Sequence, residues 1–115
     1  MKINILGTEY EIKHMTEDEY PKLKHCGASG LCELYSKQLI ISKGILDPDP
    51  SNVENIQQFQ NKVIRHEIIH AFFFESGLVD YCNDEKLVDY LAIQVPKMLK
   101  VFQDADVMEG VNKIV

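Results

Sequence analysis

His66-Glu67-Ile68-Ile69-His70 is the stretch of this sequence whose residue types and spacing can do chemistry. On a helix, residues four apart stand one turn apart on the same face, so both imidazoles can reach a single point. Nitrogen ligands at about 2.0–2.1 Å in tetrahedral array suit a zinc ion. Glu67 is rotated by about 100° from His66. It therefore flanks that point rather than occupying it, the position of a general base toward a metal-bound water. The bland alternative is a pair of satisfied core histidines with Glu67 facing solvent. Against it stands the setting, the most apolar segment of the chain. Burying three polar side chains there without partners costs about 1–3 kcal/mol each, and a bound metal removes that cost.

Zinc needs a third protein ligand and, for catalysis, one open position. After an interval of fourteen residues beyond His70, Glu85 and Asp89 form an E-x-x-x-D pair, again one turn apart. Glu85 is assigned as the third ligand. Asp89 is assigned as acceptor for the outer N–H of a ligand histidine, His66, where a carboxylate fixes the imidazole tautomer and raises its basicity. Asp84 and Asp89 are the rival oxygen ligands. Acids at 84, 85 and 89 also favour the positive end of a helix, which accounts for them without any ion. Cys82 is close enough in sequence to act as a fourth ligand, which would make the site structural. A developing oxyanion calls for a donor, and Tyr35, Tyr81 and Tyr90 are open candidates. His14 and His25 read as surface histidines. Arg65, the only arginine, reads as a surface ion-pair partner.

His66-Glu67-x-x-His70 followed by Glu85-x-x-x-Asp89 resembles the gluzincin-type zinc metallopeptidases, and is similar to their small prophage-encoded and ImmA/IrrE-type members. The resemblance covers chiefly residues 60 to 96. It implies an α+β, zincin-like fold: a small antiparallel sheet packed on the active-site helix, with a second, glutamate-bearing helix behind. It implies Zn2+ and hydrolysis of peptide bonds, with a protein or peptide substrate; by analogy to ImmA-type proteins, that substrate is a repressor. It further implies an edge strand that pairs with the extended substrate, and Gln38 to Ser42 is the candidate. The interval between His70 and Glu85 is shorter than in many larger members. A rival reading keeps the zinc without the cleavage, as a regulatory or protein-interaction domain of phage origin. Glu67 favours catalysis, since a structural site has no need of a base. Hydrolysis of a non-peptide amide or ester is a third possibility.

The elements that must position these residues divide at Asp47-Pro48-Asp49-Pro50-Ser51, which continues neither a helix nor a central strand. Within one domain spanning 1–115, this gives a sheet-rich part, 1–46, and a helical part, 52–103, that carries the site. Lys2 to Leu6 and Tyr10 to Lys13 alternate around Gly7-Thr8 as a hairpin. Thr16 to Glu19 reads as a capping box opening a short helical turn, and Gly27 to Gly30 as a flexible break. Leu31 to Tyr35 and Gln38 to Ser42 read as a second strand pair. Ser51-Asn52-Val53-Glu54 opens a helix that runs to Ser76 and stops at Gly77. Its stripe holds Ile56, Phe59, Val63, His66, Glu67, His70 and Phe74, and its last turns are apolar almost all round, the mark of burial on several sides. Asn83 caps a further helix with the stripe Leu87, Leu91, Val95, Met98 and Phe102, which contains Pro96.

The 115 residues are 45% hydrophobic and 26% charged, ordinary for a globular chain. Twelve Lys plus Arg against eighteen Asp plus Glu leave a net charge of −6. That balance disfavours nucleic acid and anionic membranes as partners. No stretch is long and apolar enough for a spanning helix. The first residues turn polar too early for a secretory signal, so a cytoplasmic setting is expected, with Cys26, Cys32 and Cys82 as reduced thiols. Oligomeric state is not written in the sequence.

Overall fold

The hairpin turn falls one residue earlier than the alternation suggests. In the computed structural model, which describes residues 1–44 and 55–110, β1 (Lys2–Ile5) pairs antiparallel with β2 (Thr8–Met15). Leu6 and Gly7 make the turn, with φ of 50° and 93°. Two left-handed residues match the twist of the flanking strands, and the Gly7 N–H donates to Asn4 Oδ1 at 2.8 Å. The double-proline loop and the Ser51–Glu54 cap pattern lie outside the described residues.

Thr16 and Glu19 do exchange the two hydrogen bonds of a capping box, at 3.0 and 3.1 Å. The residues between them form a turn rather than a helix. Helix α1 (Lys22–Cys26) begins only after Pro21 and is pinned by the fully buried Leu23. Strands β3 (Gly30–Glu33) and β4 (Gln38–Ser42) pair antiparallel, as expected.

The sheet, however, is mixed rather than antiparallel, with order β1-β2-β4-β3. Strand β4 lies parallel to β2, so Gln38 to Ser42 is an interior strand and β3 takes the edge. The reason is legible in composition. Leu39, Ile40 and Ile41 are all fully buried, and an unbroken apolar run of this kind marks a strand covered on both faces. Leu39 and Ile41 join Ile5, Tyr10 and Ile12 in a core with Val63 and Ala71 of α2 (Ile56–Glu75), the helix across the sheet.

Helix α2 ends on Gly77, whose φ of 82° places it in the left-handed region. Its last turns are less enclosed than their composition suggests, because Phe72 is 48% exposed. One carboxylate near this end, Glu75, fastens the sheet to the helix. It accepts from Thr8 Oγ1 at 2.9 Å, Tyr10 Oη at 2.6 Å and Lys37 Nζ at 3.0 Å. Those bonds, Tyr10's foremost, hold the Glu75 carboxyl below its usual range. Burial first, and then Glu75, push the Tyr10 phenol well above its own.

A one-turn helix, α3 (Val79–Cys82), precedes α4 (Glu85–Asp104). Asn83 closes α3, its N–H bonding Val79 O at 3.2 Å. Asp84, not Asn83, caps α4, accepting from the Leu87 N–H at 3.1 Å. The buried positions of α4 are Val88 and Ala92, whereas Val95, Met98 and Phe102 of the expected stripe are each 41% exposed. Among the described residues, no helix is long and apolar enough to cross a membrane.

Arg65 is a helix-to-helix tie rather than a surface ion-pair partner. Its Nε donates to the Ala92 carbonyl at 2.8 Å. In an unbroken helix that carbonyl would take the N–H four residues on, but position 96 is proline, which has none. The lone arginine on α2 thus fills the vacancy that Pro96 creates in α4. Arg65→Met is expected to cost about 1–3 kcal/mol, the usual penalty for orphaning a buried acceptor. In a Pro96→Ala background, where the helix supplies its own donor, the same change should cost clearly less. Denaturant unfolding of the four proteins measures the difference; equal costs would sink the explanation.

Candidate metal centre

The i, i+4 spacing on α2 does what it promises. The His66 and His70 rings lie 4.8 Å apart between centroids, and their Nε2 atoms are 3.1 Å apart. Glu85, the first residue of α4, brings its carboxylate to the same point. Oε2 lies 3.1 Å from His66 Nε2 and Oε1 lies 2.8 Å from His70 Nε2. One ligand atom from each of the three residues lies within 4.8 Å of the other two. The Asp84 cap fixes where α4 starts, and the tie from Arg65 to Ala92 holds α4 alongside α2.

The outer nitrogens decide the tautomers. His70 Nδ1 lies 2.6 Å from the Cys82 carbonyl oxygen, which can only accept, so Nδ1 carries the hydrogen. His66 Nδ1 lies 3.2 Å from Asp89 Oδ1. Lys62 first, and then His66, hold the Asp89 carboxyl below its usual range, so it too is an acceptor. When both rings are neutral, these tautomers turn two bare Nε2 lone pairs toward one another and toward a carboxylate. Three acceptors then converge with no donor among them, an arrangement that repels itself unless a cation sits at the centre. Protonating one ring would supply one donor; a divalent ion meets all three acceptors. Zinc bonds of about 2.0–2.1 Å to tetrahedral ligands put those ligands about 3.3 Å from one another, and the Nε2 pair is close to that separation at 3.1 Å. The donor set and its spacing fit zinc.

Glu67 is 6% exposed and stands outside this ligand group. Burial first, and then the charge of Glu85, push its carboxyl up to about 8. Two cavities, of about 400 and 280 Å3, meet at the site and share Gly30, His66, Glu67 and Glu85 in their walls. The larger continues along Leu31, Cys32 and Asn83, the smaller along Phe59, Lys62 and Asp89. A groove therefore crosses the site beside edge strand β3.

Gly30, read from sequence as part of a flexible break, is a point of close approach. A Cβ there would fall 2.7 Å from Val63 Cγ1 and 3.1 Å from Glu67 Oε2. Only a residue without a side chain lets β3 lie against α2 at this level. A glycine opening a strand is the signal that marked it.

Of the rival ligands, Asp84 is engaged as the α4 cap, and Asp89 stands behind His66. Cys82 is buried and meets the site through its carbonyl; its thiol is not among the converging ligand atoms. Cys26 and Cys32 are free thiols as well. Tyr35 is 90% exposed and packs edge-on against Phe74, and Tyr81 packs against Phe73. Tyr90 borders a shallow depression outside α4 with His66, Glu85 and Asp89. None of the three lines either cavity at the site. Asn83 does line the larger one, a hydrogen-bond donor whose place in the sequence marks it only as a helix cap. His14 and His25 are exposed and line neither cavity. Comparison with protein-family models, with curated proteins and with solved structures finds no match to this chain.

Proposed function

We propose that the chain is a zinc-dependent peptide hydrolase, zincin-like in fold and gluzincin-like in its site. The observation that carries this reading is the convergence of three ligand atoms beside a buried carboxylate. Cys82 and Asp89 turn two bare imidazole nitrogens onto one point, Glu85 closes a third side, and Glu67 stands beside them uncommitted. His66, His70 and Glu85 would hold the ion. Zinc bound there supplies a Lewis acid that polarises a carbonyl and lowers the pKa of water.

The chain's own residues supply the rest. Glu67 takes the proton from the attacking water on its carboxylate and passes it to the departing amine nitrogen. The outer edge of β3, which pairs with no further strand among the described residues, offers backbone groups to an extended peptide that can lie along the groove as an added strand. Asn83 offers side-chain N–H groups to the developing oxyanion. A groove that continues on both sides of Glu67 suits cleavage within a chain. The likeness to ImmA/IrrE-type proteins points to a repressor as substrate in a cytoplasmic setting, by analogy alone.

The test is incubation of the zinc-loaded protein with a mixed library of unstructured peptides and, in parallel, with small amides and esters. Cleavage of peptides that stops on chelation supports the proposal. Zinc-loaded protein that cuts nothing favours the rival reading of a zinc-containing interaction domain, and turnover of the small compounds alone favours a different hydrolase.

A further inference from the structure

Lys62 stands four residues before His66 on α2, one turn along the same face. Its Nζ lies 2.9 Å from Asp89 Oδ1, and that same oxygen lies 3.2 Å from His66 Nδ1. One carboxylate oxygen thus serves an ammonium and an imidazole together. A fully exposed ion pair of this kind contributes little. This one is partly withdrawn from water, with side-chain exposures of 32% for Lys62 and 41% for Asp89. The lysine also lines the smaller cavity beside Phe59 and Val63.

We infer that Lys62 is a positioning residue for the metal centre, holding Asp89 Oδ1 against His66 Nδ1 and so fixing the direction of the His66 Nε2 lone pair. The inference rests on the zinc reading above. Asp89 projects from α4, whereas His66 belongs to α2. With the imidazole as its only partner, the carboxylate could follow the ring through several rotamers. A second, charge-assisted bond from the helix that carries His66 ties the oxygen to that helix's frame. Metal ligands need orientation within about 10–20°, and the partners behind them are worth about 10–100-fold in metal affinity.

Zinc affinity, measured by competition with a chromophoric chelator, and the absorption spectrum of the cobalt(II)-substituted protein test this in Lys62→Met, Lys62→Arg and Asp89→Asn. Lys62→Met and Asp89→Asn are each expected to weaken zinc about tenfold and to alter the cobalt spectrum. Lys62→Arg, which keeps a cation in reach of the oxygen, should recover most of the affinity. The metal-free melting temperature of Lys62→Met should stay that of the wild type. Unchanged affinity and spectrum in Lys62→Met, beside a weakened Asp89→Asn, overturn the role of Lys62 and leave the zinc reading standing. Weakened affinity with a lowered metal-free melting temperature and no recovery in Lys62→Arg likewise overturn it, as a merely structural contact. A wild type that takes up neither zinc nor cobalt overturns both.

Discussion

Glu67→Gln is expected to keep the metal and lose the reaction, with peptide cleavage falling about 10²–10⁴-fold, the usual contribution of a positioned base. Glutamine has nearly the same shape, so Gly30, Val63 and the walls of both cavities keep their contacts. Because Glu67 is outside the His66, His70 and Glu85 group, zinc affinity should stay within a few-fold of the wild type. Steady-state cleavage assays paired with zinc titration make the measurement. A variant that cuts at the wild-type rate in a zinc-dependent way would remove Glu67 from the mechanism. The metal-free protein offers an independent reading. Burial raises the Glu67 carboxyl to about 8 in the folded chain, so its contribution to stability is complete below the ordinary carboxylate range. That contribution is lost as pH climbs through 8. Metal-free Glu67→Gln should lack that decline.

Stripping the ion is expected to lower the melting temperature by about 10 °C relative to protein held at one hundred times the zinc dissociation constant. Binding at that ratio stabilises the fold by about 2.7 kcal/mol, and in a domain this small each kcal/mol moves the melting point by about 4 °C. His70→Ala should erase the zinc-dependent part of the shift. It should also melt below the metal-free wild type, because the Cys82 carbonyl, which faces His70 Nδ1 at 2.6 Å, loses its donor. Thermal scans with and without chelator, on wild type and variant, decide it. An identical melting point with and without zinc would mean that the three side chains hold no ion worth counting.

The histidine pair could be read from sequence because its geometry is local: four residues of helix suffice to superpose two side chains. The first hairpin was legible for the same reason, since alternation and a turn residue are short-range signals. What escaped depends on pairings between distant parts of the chain. Nothing within Gln38 to Ser42 says which strand lies beside it, although the missing alternation of Leu39-Ile40-Ile41 hinted at a covered position. Arg65 could not be matched to Ala92 without knowing that two helices lie side by side. The Cys82 carbonyl carries no sequence signature at all, being backbone, and it sets the tautomer of His70.

Glu75 has a consequence for how the molecule comes apart in acid. Three tethers, from both hairpins of the sheet, end on a single carboxylate. The hold it provides is complete above the ordinary carboxylate range and fails as pH falls through its depressed value. One proton therefore weakens all three attachments together. Acid loosening at this end of α2 should be a concerted step, with hairpins and helix parting company as a unit.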